Sequence, residues 1–176
     1  MKFIKLRDPL KKYQLKTSYG TWTVFVDRGK IIELRFPKNP PKAKKFYLLP
    51  PPPKDLNFIV DLFKSYFENR PLPVSVKLDF NHASEFQKKV WRQLCRIPFG
   101  QTKSYQQVAQ QVGKPKASRA VGSACCANPL PLLVPCHRVI ARDGSLGGFS
   151  AGLKWKKWLL KFEASRGKKN SSYAAK

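Results

Sequence analysis

The spacing of apolar residues constrains this chain most, because it is mainly strand-like in the first half and helical in the second. Between 13 and 36 the apolar residues alternate: Trp22, Val24 and Val26 share one face, followed by Ile32, Leu34 and Phe36. Alternation predicts half-buried strands, and Asp27-Arg28-Gly29-Lys30 offers a hairpin turn between them. Residues 37–54 hold seven prolines and five lysines, which predicts an extended, solvated connection. Residues 56–68 then place Leu56, Ile59, Val60, Phe63 and Phe67 at helical spacing. Val74, Val76, Leu78 and Phe80 alternate once more and predict a further strand.

From 81 onward the signals are helical. Ser84 with Gln87 and Ser104 with Gln107 form two capping boxes. The first opens a helix carrying Phe86, Val90, Trp91 and Leu94, which Pro98-Phe99-Gly100 stops. The second opens a helix carrying Val108, Ala109 and Val112, with Gly113 as its terminating residue. Ser118 is expected to cap a third helix over 119–127. A last helix over 154–165 buries Trp155, Trp158, Leu159 and Phe162, and the tail 167–176 is polar and basic. The expected fold class is therefore α+β. A small N-terminal α/β domain with a short antiparallel sheet (1–80) is a structural platform. A mostly helical C-terminal domain (81–176) contains a helix-turn-helix.

Charge narrows the partners. The chain carries 35 Lys plus Arg against 10 Asp plus Glu, a net charge of +25. Up to Ala83 there are 17 basic and 7 acidic residues, and after it 18 and 3. Such a field concentrates polyanions, and nucleic acid held through its phosphates is the expected partner. The small residues Ala120, Gly122, Ser123, Ala124 and Ala127 leave one helix of the turn motif smooth. That suits either close approach to a partner backbone or tight packing in a core. There is no long apolar run and no signal peptide, so no membrane association is expected. The expected compartment is the cytoplasm, or the nucleus in a eukaryote, and the expected state is a monomer.

Four cysteines, Cys95, Cys125, Cys126 and Cys136, lie in the second half with no C-x-x-C pair. This predicts neither a disulfide framework nor a metal site, and in a reducing compartment points to a nucleophile. His137, one of two histidines, follows Cys136 directly. A thiol attacks only as thiolate. His137 can take its proton, and Arg138 is expected to add positive field. A third group should orient the imidazole. The C-terminal part offers Glu85, Asp143 and Glu163. Glu163 lies nearest an apolar stripe and is the first choice, although a surface carboxylate is the commoner fate of such a residue.

Pro135-Cys136-His137-Arg138-Val139 resembles the active-site signature of the O6-alkylguanine-DNA alkyltransferases. Pro98-Phe99-Gly100, Ser104-Tyr105, Arg119-Ala120-Val121-Gly122, Asn128-Pro129, Gly144-Ser145-Leu146-Gly147-Gly148 and Trp158-Leu159-Leu160 through Glu163 fall at family spacing. The resemblance is specific over 82–166 and covers 13–80 in outline. It implies a single-turnover methyltransferase of DNA repair without a cofactor. Cys136 would take the alkyl group from O6 of a flipped guanine. His137 and Glu163 would relay the thiol proton, Asn128 would brace the turn, and Tyr105 would donate to the leaving base. Arg119 would fill the gap in the duplex. Ser104, Ala120, Gly122, Ser123 and Ala127 would meet double-stranded DNA containing O6-alkylguanine along the minor groove. Pro135, Val139, Phe149 and Ser150 would line the pocket. Phe149 stands where many relatives have tyrosine, and Ala151 where glycine is common. The N-terminal zinc site of some relatives is not expected here.

Three rivals have different chemistry. A non-catalytic binder of alkylated DNA would lack the cysteine. A Cys–His hydrolase would turn over and leaves Arg119 and the charge without a purpose. An S-adenosylmethionine-dependent enzyme would need a Gly-rich nucleotide turn before a helix, and the sequence has none.

Overall fold

The alternating stretch folds into an antiparallel meander of β1 (Lys11–Thr17), β2 (Gly20–Asp27) and β3 (Lys30–Arg35). The structure is a computed structural model, and it describes residues 10–43, 45–49, 57–69, 80 and 82–170, with side chains as far as 166. The chain divides into two compact units, Met1–Phe80 and Asn81–Lys176. The fold class is α+β, as expected. No described helix is long and apolar enough to cross a membrane.

In the first unit, Arg28 and Gly29 both have positive φ, 47° and 72°. This is the conformation a two-residue hairpin loop needs to match strand twist. Phe25 pairs with Glu33 but Val26 pairs with Ile31, so Ile32 is an extra residue in β3. A bulge switches the face of the residues beyond it. Ile31, rather than Ile32, therefore joins Leu34 in the core, which corrects the face read from strict alternation. Helix α1 (Asn57–Phe67) buries Ile59, Val60, Phe63 and Phe67. Trp22 meets Phe63 at 4.9 Å and Phe36 at 4.6 Å between ring centres.

The proline-rich connection is not wholly solvated. The Ser18 N–H donates to the Tyr47 carbonyl and the Leu49 N–H to the Lys16 carbonyl, each at 2.9 Å. This short stretch covers part of an edge strand that would otherwise expose unpaired backbone groups. Gly20 has φ +100, and a side chain there would meet Pro37 at 2.7 Å. The strand expected around Val74, Val76 and Leu78 lies outside the described residues.

In the second unit, α2 (Glu85–Leu94) and α3 (Tyr105–Gln111) each start with the expected capping box, at Ser84 and Ser104. Gly113, at φ +76, ends α3. The Lys114 N–H donates to the Ala109 carbonyl and the Gly113 N–H to the Gln110 carbonyl, which satisfies the last carbonyls of the helix. Helix α4 (Ser118–Cys126) departs from expectation: Ala117 is its cap, with no side-chain hydrogen bond. The Ala117 N–H closes the preceding turn on the Lys114 carbonyl, and the Ala117 carbonyl accepts from Val121 N–H. The helix so begins one residue early, with Ser118 inside its first turn.

Trp91 Nε1 donates to the Ala124 carbonyl at 2.8 Å and ties α2 to α4. The two-residue strands β4 (Lys103–Ser104) and β5 (Val139–Ile140) pair in parallel. Their pairing sets the start of α3 beside the segment that follows Cys136. Helix α5 (Leu153–Asn170) runs past the expected end and through Gly167.

Candidate active site

Residues 128–139 read as a loop in sequence, yet all but Pro129 are buried. A buried loop must satisfy its backbone internally, and Asn128 does much of this. Its Nδ2 donates to the Val134 carbonyl at 2.9 Å, and its Oδ1 accepts from Leu130 N–H at 3.0 Å. Within that loop Leu132 holds φ 83°, a left-handed conformation unusual for leucine. Cys136–Arg138 then form one 3₁₀ turn. Three residues per turn send these neighbouring side chains in three directions.

Cys136 is 2% exposed. Asn128 Nδ2 donates to its Sγ at 3.1 Å. Burial pushes the thiol up to about 11, while the Asn128 hydrogen bond and the charge of Lys156 pull the other way. The sequence reading expected a base and a nearby cation to favour thiolate. In the folded chain desolvation wins, so the resting sulfur keeps its proton. Cys125 is pushed up further, to about 12, by burial and by Cys136.

His137 points into the unit. Its Nε2 is 2.7 Å from Glu163 Oε1, and both side chains are buried. Burial lowers the His137 pKa against the pull of Glu163, so the ring is a neutral acceptor at physiological pH. For Glu163 burial acts upward, but the hydrogen bonds to His137 and Arg138 and the charge of Arg138 outweigh it and bring the carboxyl down to about 2. Glu163, the first choice among three acids, is therefore a buried, ionised partner of the imidazole.

Arg138 does not supply field to the sulfur as expected. Its guanidinium turns away and grips Glu163, with Nε to Oε2 at 2.9 Å and Nη2 to Oε1 at 3.0 Å. The cation that acts on Cys136 is Lys156, which sequence reasoning missed. Lys156 is fully buried, and its Nζ donates to the carbonyls of Val139 at 2.6 Å, Leu146, and Gly148 at 3.3 Å. One signal could have found it: Lys156 lies seven residues before Glu163, on the same helix face and within the Trp155–Leu159 stripe.

Tyr105, the first residue of α3, is half-buried, and its hydroxyl is pushed up to about 12 by burial. It remains a hydrogen-bond donor across the physiological range. A side chain at Gly147, whose φ is +60, would sit 2.6 Å from the Tyr105 hydroxyl. Phe149 stands edge-on to His137 with ring centres 6.2 Å apart. Pro135 and Val139 are buried, and Ser150 is exposed. On α4, Arg119, Ala120 and Ser123 are exposed and Gly122 is half-buried, and Ala127, the residue that ends the helix, is exposed. Ser104 accepts from Gln107 N–H at 3.1 Å, which leaves its hydroxyl hydrogen and a second lone pair to meet a partner. The structure brings Cys136, His137, Glu163 and Asn128 into one cluster, and sets Arg119 apart from it on an exposed face. Among the described residues no group of His, Cys, Asp and Glu is arranged to hold a metal.

Residues 85–165 match the family described as 6-O-methylguanine DNA methyltransferase, DNA binding domain. A methylated-DNA–protein-cysteine methyltransferase of Methanosarcina barkeri is 45% identical over 100 residues, which span 57% of this chain and 63% of the relative. A protein of the same name from Mycobacterium bovis is 42% identical over 116 residues, spanning 66% of this chain and 70% of that protein. The crystal structure of Mycobacterium tuberculosis OGT in complex with DNA is 35% identical with a TM-score of 0.71, covering 87% of this chain and 92% of that one. The O6-methylguanine methyltransferase structure from the same organism gives 34% and 0.72, covering 90% and 94%. On these matches, and with a thiol, imidazole and carboxylate gathered in its second unit, the chain belongs to the methylated-DNA–protein-cysteine methyltransferase family.

Proposed function

We propose that this protein repairs DNA by moving an alkyl group, chiefly methyl, from O6 of guanine onto Cys136, once and irreversibly. The observation that carries the reading is the buried cluster in which Cys136 Sγ is held by Asn128 while the adjacent His137 is held by Glu163. A binding module that needs only to grip alkylated DNA has no use for a nucleophile and a proton acceptor placed together.

The reaction follows from the groups present. The sulfur attacks the alkyl carbon in line with the C–O6 bond. That bond breaks, and its electron pair leaves on the guanine. The thiol proton passes to the neutral imidazole through water, and Glu163 stabilises the cation formed. Tyr105 donates to the departing base and offsets its negative charge. Lys156 favours the developing thiolate. The high resting pKa of the thiol is consistent with this order, because the proton leaves only as the reaction proceeds. The thioether has no good leaving group, so the protein is consumed.

Guanine in a duplex hides O6 from such a site, so the base is rotated out, which costs a few kcal/mol. Arg119 enters the stack and offsets part of this cost. Helices α3 and α4 form a helix-turn-helix, and the exposed small residues of α4 let it enter the minor groove. Pro135, Val139, Phe149 and Ser150 line the pocket for the extruded base. The first unit serves as a platform, no cofactor takes part, the protein acts as a monomer, and its place is with DNA in the cytoplasm or nucleus.

Incubation with O6-methylguanine duplex followed by intact-mass measurement and peptide mapping tests the reading. The expected result is a gain of one methylene unit per molecule, located on Cys136. An unchanged mass with retained affinity for the duplex would establish the binding module instead.

A further inference from the structure

Arg138 adjoins Cys136 in sequence but serves another residue. Three of its nitrogens have defined acceptors: Nε on Glu163 Oε2 at 2.9 Å, Nη2 on Oε1 at 3.0 Å and Nη1 on the Ile97 carbonyl at 2.7 Å. The same carboxylate receives the Gly100 N–H at 2.9 Å. Gly100 has φ 76°, a conformation that suits glycine. The turn after α2 thus supplies one contact to the guanidinium and one to the carboxylate.

We propose that Arg138, anchored on the turn from Ile97 to Gly100, is a positioning residue that orients Glu163 and limits how strongly His137 holds a proton. A buried carboxylate facing an imidazole alone favours the imidazolium, and a protonated ring cannot accept from a thiol. A guanidinium on the same carboxylate takes up much of its charge, and it cannot lose its own proton. Its two-pronged grip also fixes the carboxylate plane, which keeps Oε1 aimed at Nε2.

The charged and titratable groups around the imidazole are Glu163 and Lys156 from α5, with Arg138 and Cys136 from its own turn. The Phe149 ring covers it edge-on. Lys156 acts in the same direction as Arg138 and is unchanged in an Arg138 variant, so that variant isolates the arginine. The inference rests on the alkyl-transfer reading for its purpose, but the property it assigns belongs to the imidazole and can be measured without substrate.

The test is an NMR titration of the two histidines in the full chain, with His137→Gln to assign the signals. Arg138→Met is expected to move the His137 midpoint upward by about one pH unit or more. Arg138→Lys, which keeps the charge but loses the fork, is expected to move it less in the same direction. Benzyl transfer from free O6-benzylguanine gives a second readout. The extra loss in Arg138→Met should set in as the pH falls below the raised midpoint, and grow by about tenfold per pH unit from there down to the wild-type midpoint. An unmoved or lowered midpoint overturns the inference, as does an equal loss of rate at pH values on both sides of the raised midpoint. If Arg138→Met does not fold, Arg138→Lys decides by the same midpoint. Failure of the wild-type protein to take the methyl group from O6-methylguanine duplex would instead overturn the proposed function and leave the titration result standing.

Discussion

The two units fill their interiors with different materials. The first packs rings: Trp22, Phe63, Phe67 and Tyr19 are buried together, and the only buried polar residues described there are Thr17 and Ser65. The second buries Asn128, His137, Arg138, Lys156 and Glu163, and all five belong to the cluster around Cys136. Rings gain stability simply by leaving water. Buried charges gain little net stability, and only when every partner is in place. Such a group is better explained by the chemistry it permits than by the fold it supports. The difference separates stability from function along the chain, and substitutions can break the separation or sharpen it.

Cys136→Ala should have the largest effect, abolishing alkyl transfer while duplex binding by fluorescence anisotropy stays near wild type. Loss of binding in step with transfer would mean that the sulfur also holds the fold. Glu163→Gln comes next. It leaves Arg138 without its counter-charge and should cost about 3–5 kcal/mol in urea unfolding. Transfer per folded molecule should fall by on the order of 10²-fold or more, the scale of a lost acid–base partner. Phe63→Ala provides the contrast, with about 3–5 kcal/mol lost from the first unit but an unchanged rate per folded molecule. A matching fall in rate would blur the distinction between the units.

Acid should discriminate between them as well. Glu163 is lowered from 4.5 to about 2 in the folded chain. The unfolded carboxyl takes a proton first, so stability present above pH 4.5 is lost as the pH falls toward 2. The amount is on the order of 3 kcal/mol. His137 is lowered from 6.5, so its contribution also weakens below that pH, since the unfolded ring protonates first. Unfolding followed by hydrogen exchange across this range should open the second unit before the first. The smallest effect is expected for Arg119→Ala. It should slow repair in duplex, by a fraction of the few kcal/mol that extrusion costs, yet leave transfer from free O6-benzylguanine unchanged. Equal losses on both substrates would remove the stack-filling role.

Much of this was legible because local signals coincide with the fold. The capping boxes at Ser84 and Ser104 fix two helix starts, and Gly113 fixes one end, through contacts within a few residues. The motif around Cys136 pointed to the candidate site. What was not legible depended on residues distant in sequence or on cancellation between forces. The bulge at Ile32 arises from how β3 pairs with β2, which no single strand discloses. The true target of Arg138 lies 25 positions away on α5. Lys156 reads as a surface lysine until α5 turns it inward. The resting state of the thiol depends on burial outweighing Asn128 and Lys156, a balance that adjacency to histidine does not reveal.

Supplying excess O6-methylguanine duplex and counting lesions lost against protein added separates single-use transfer to Cys136 from turnover. The count should stop at one per molecule, with all the methyl found on Cys136. Continued loss of lesions beyond one per molecule, or methyl on any other residue, would contradict it.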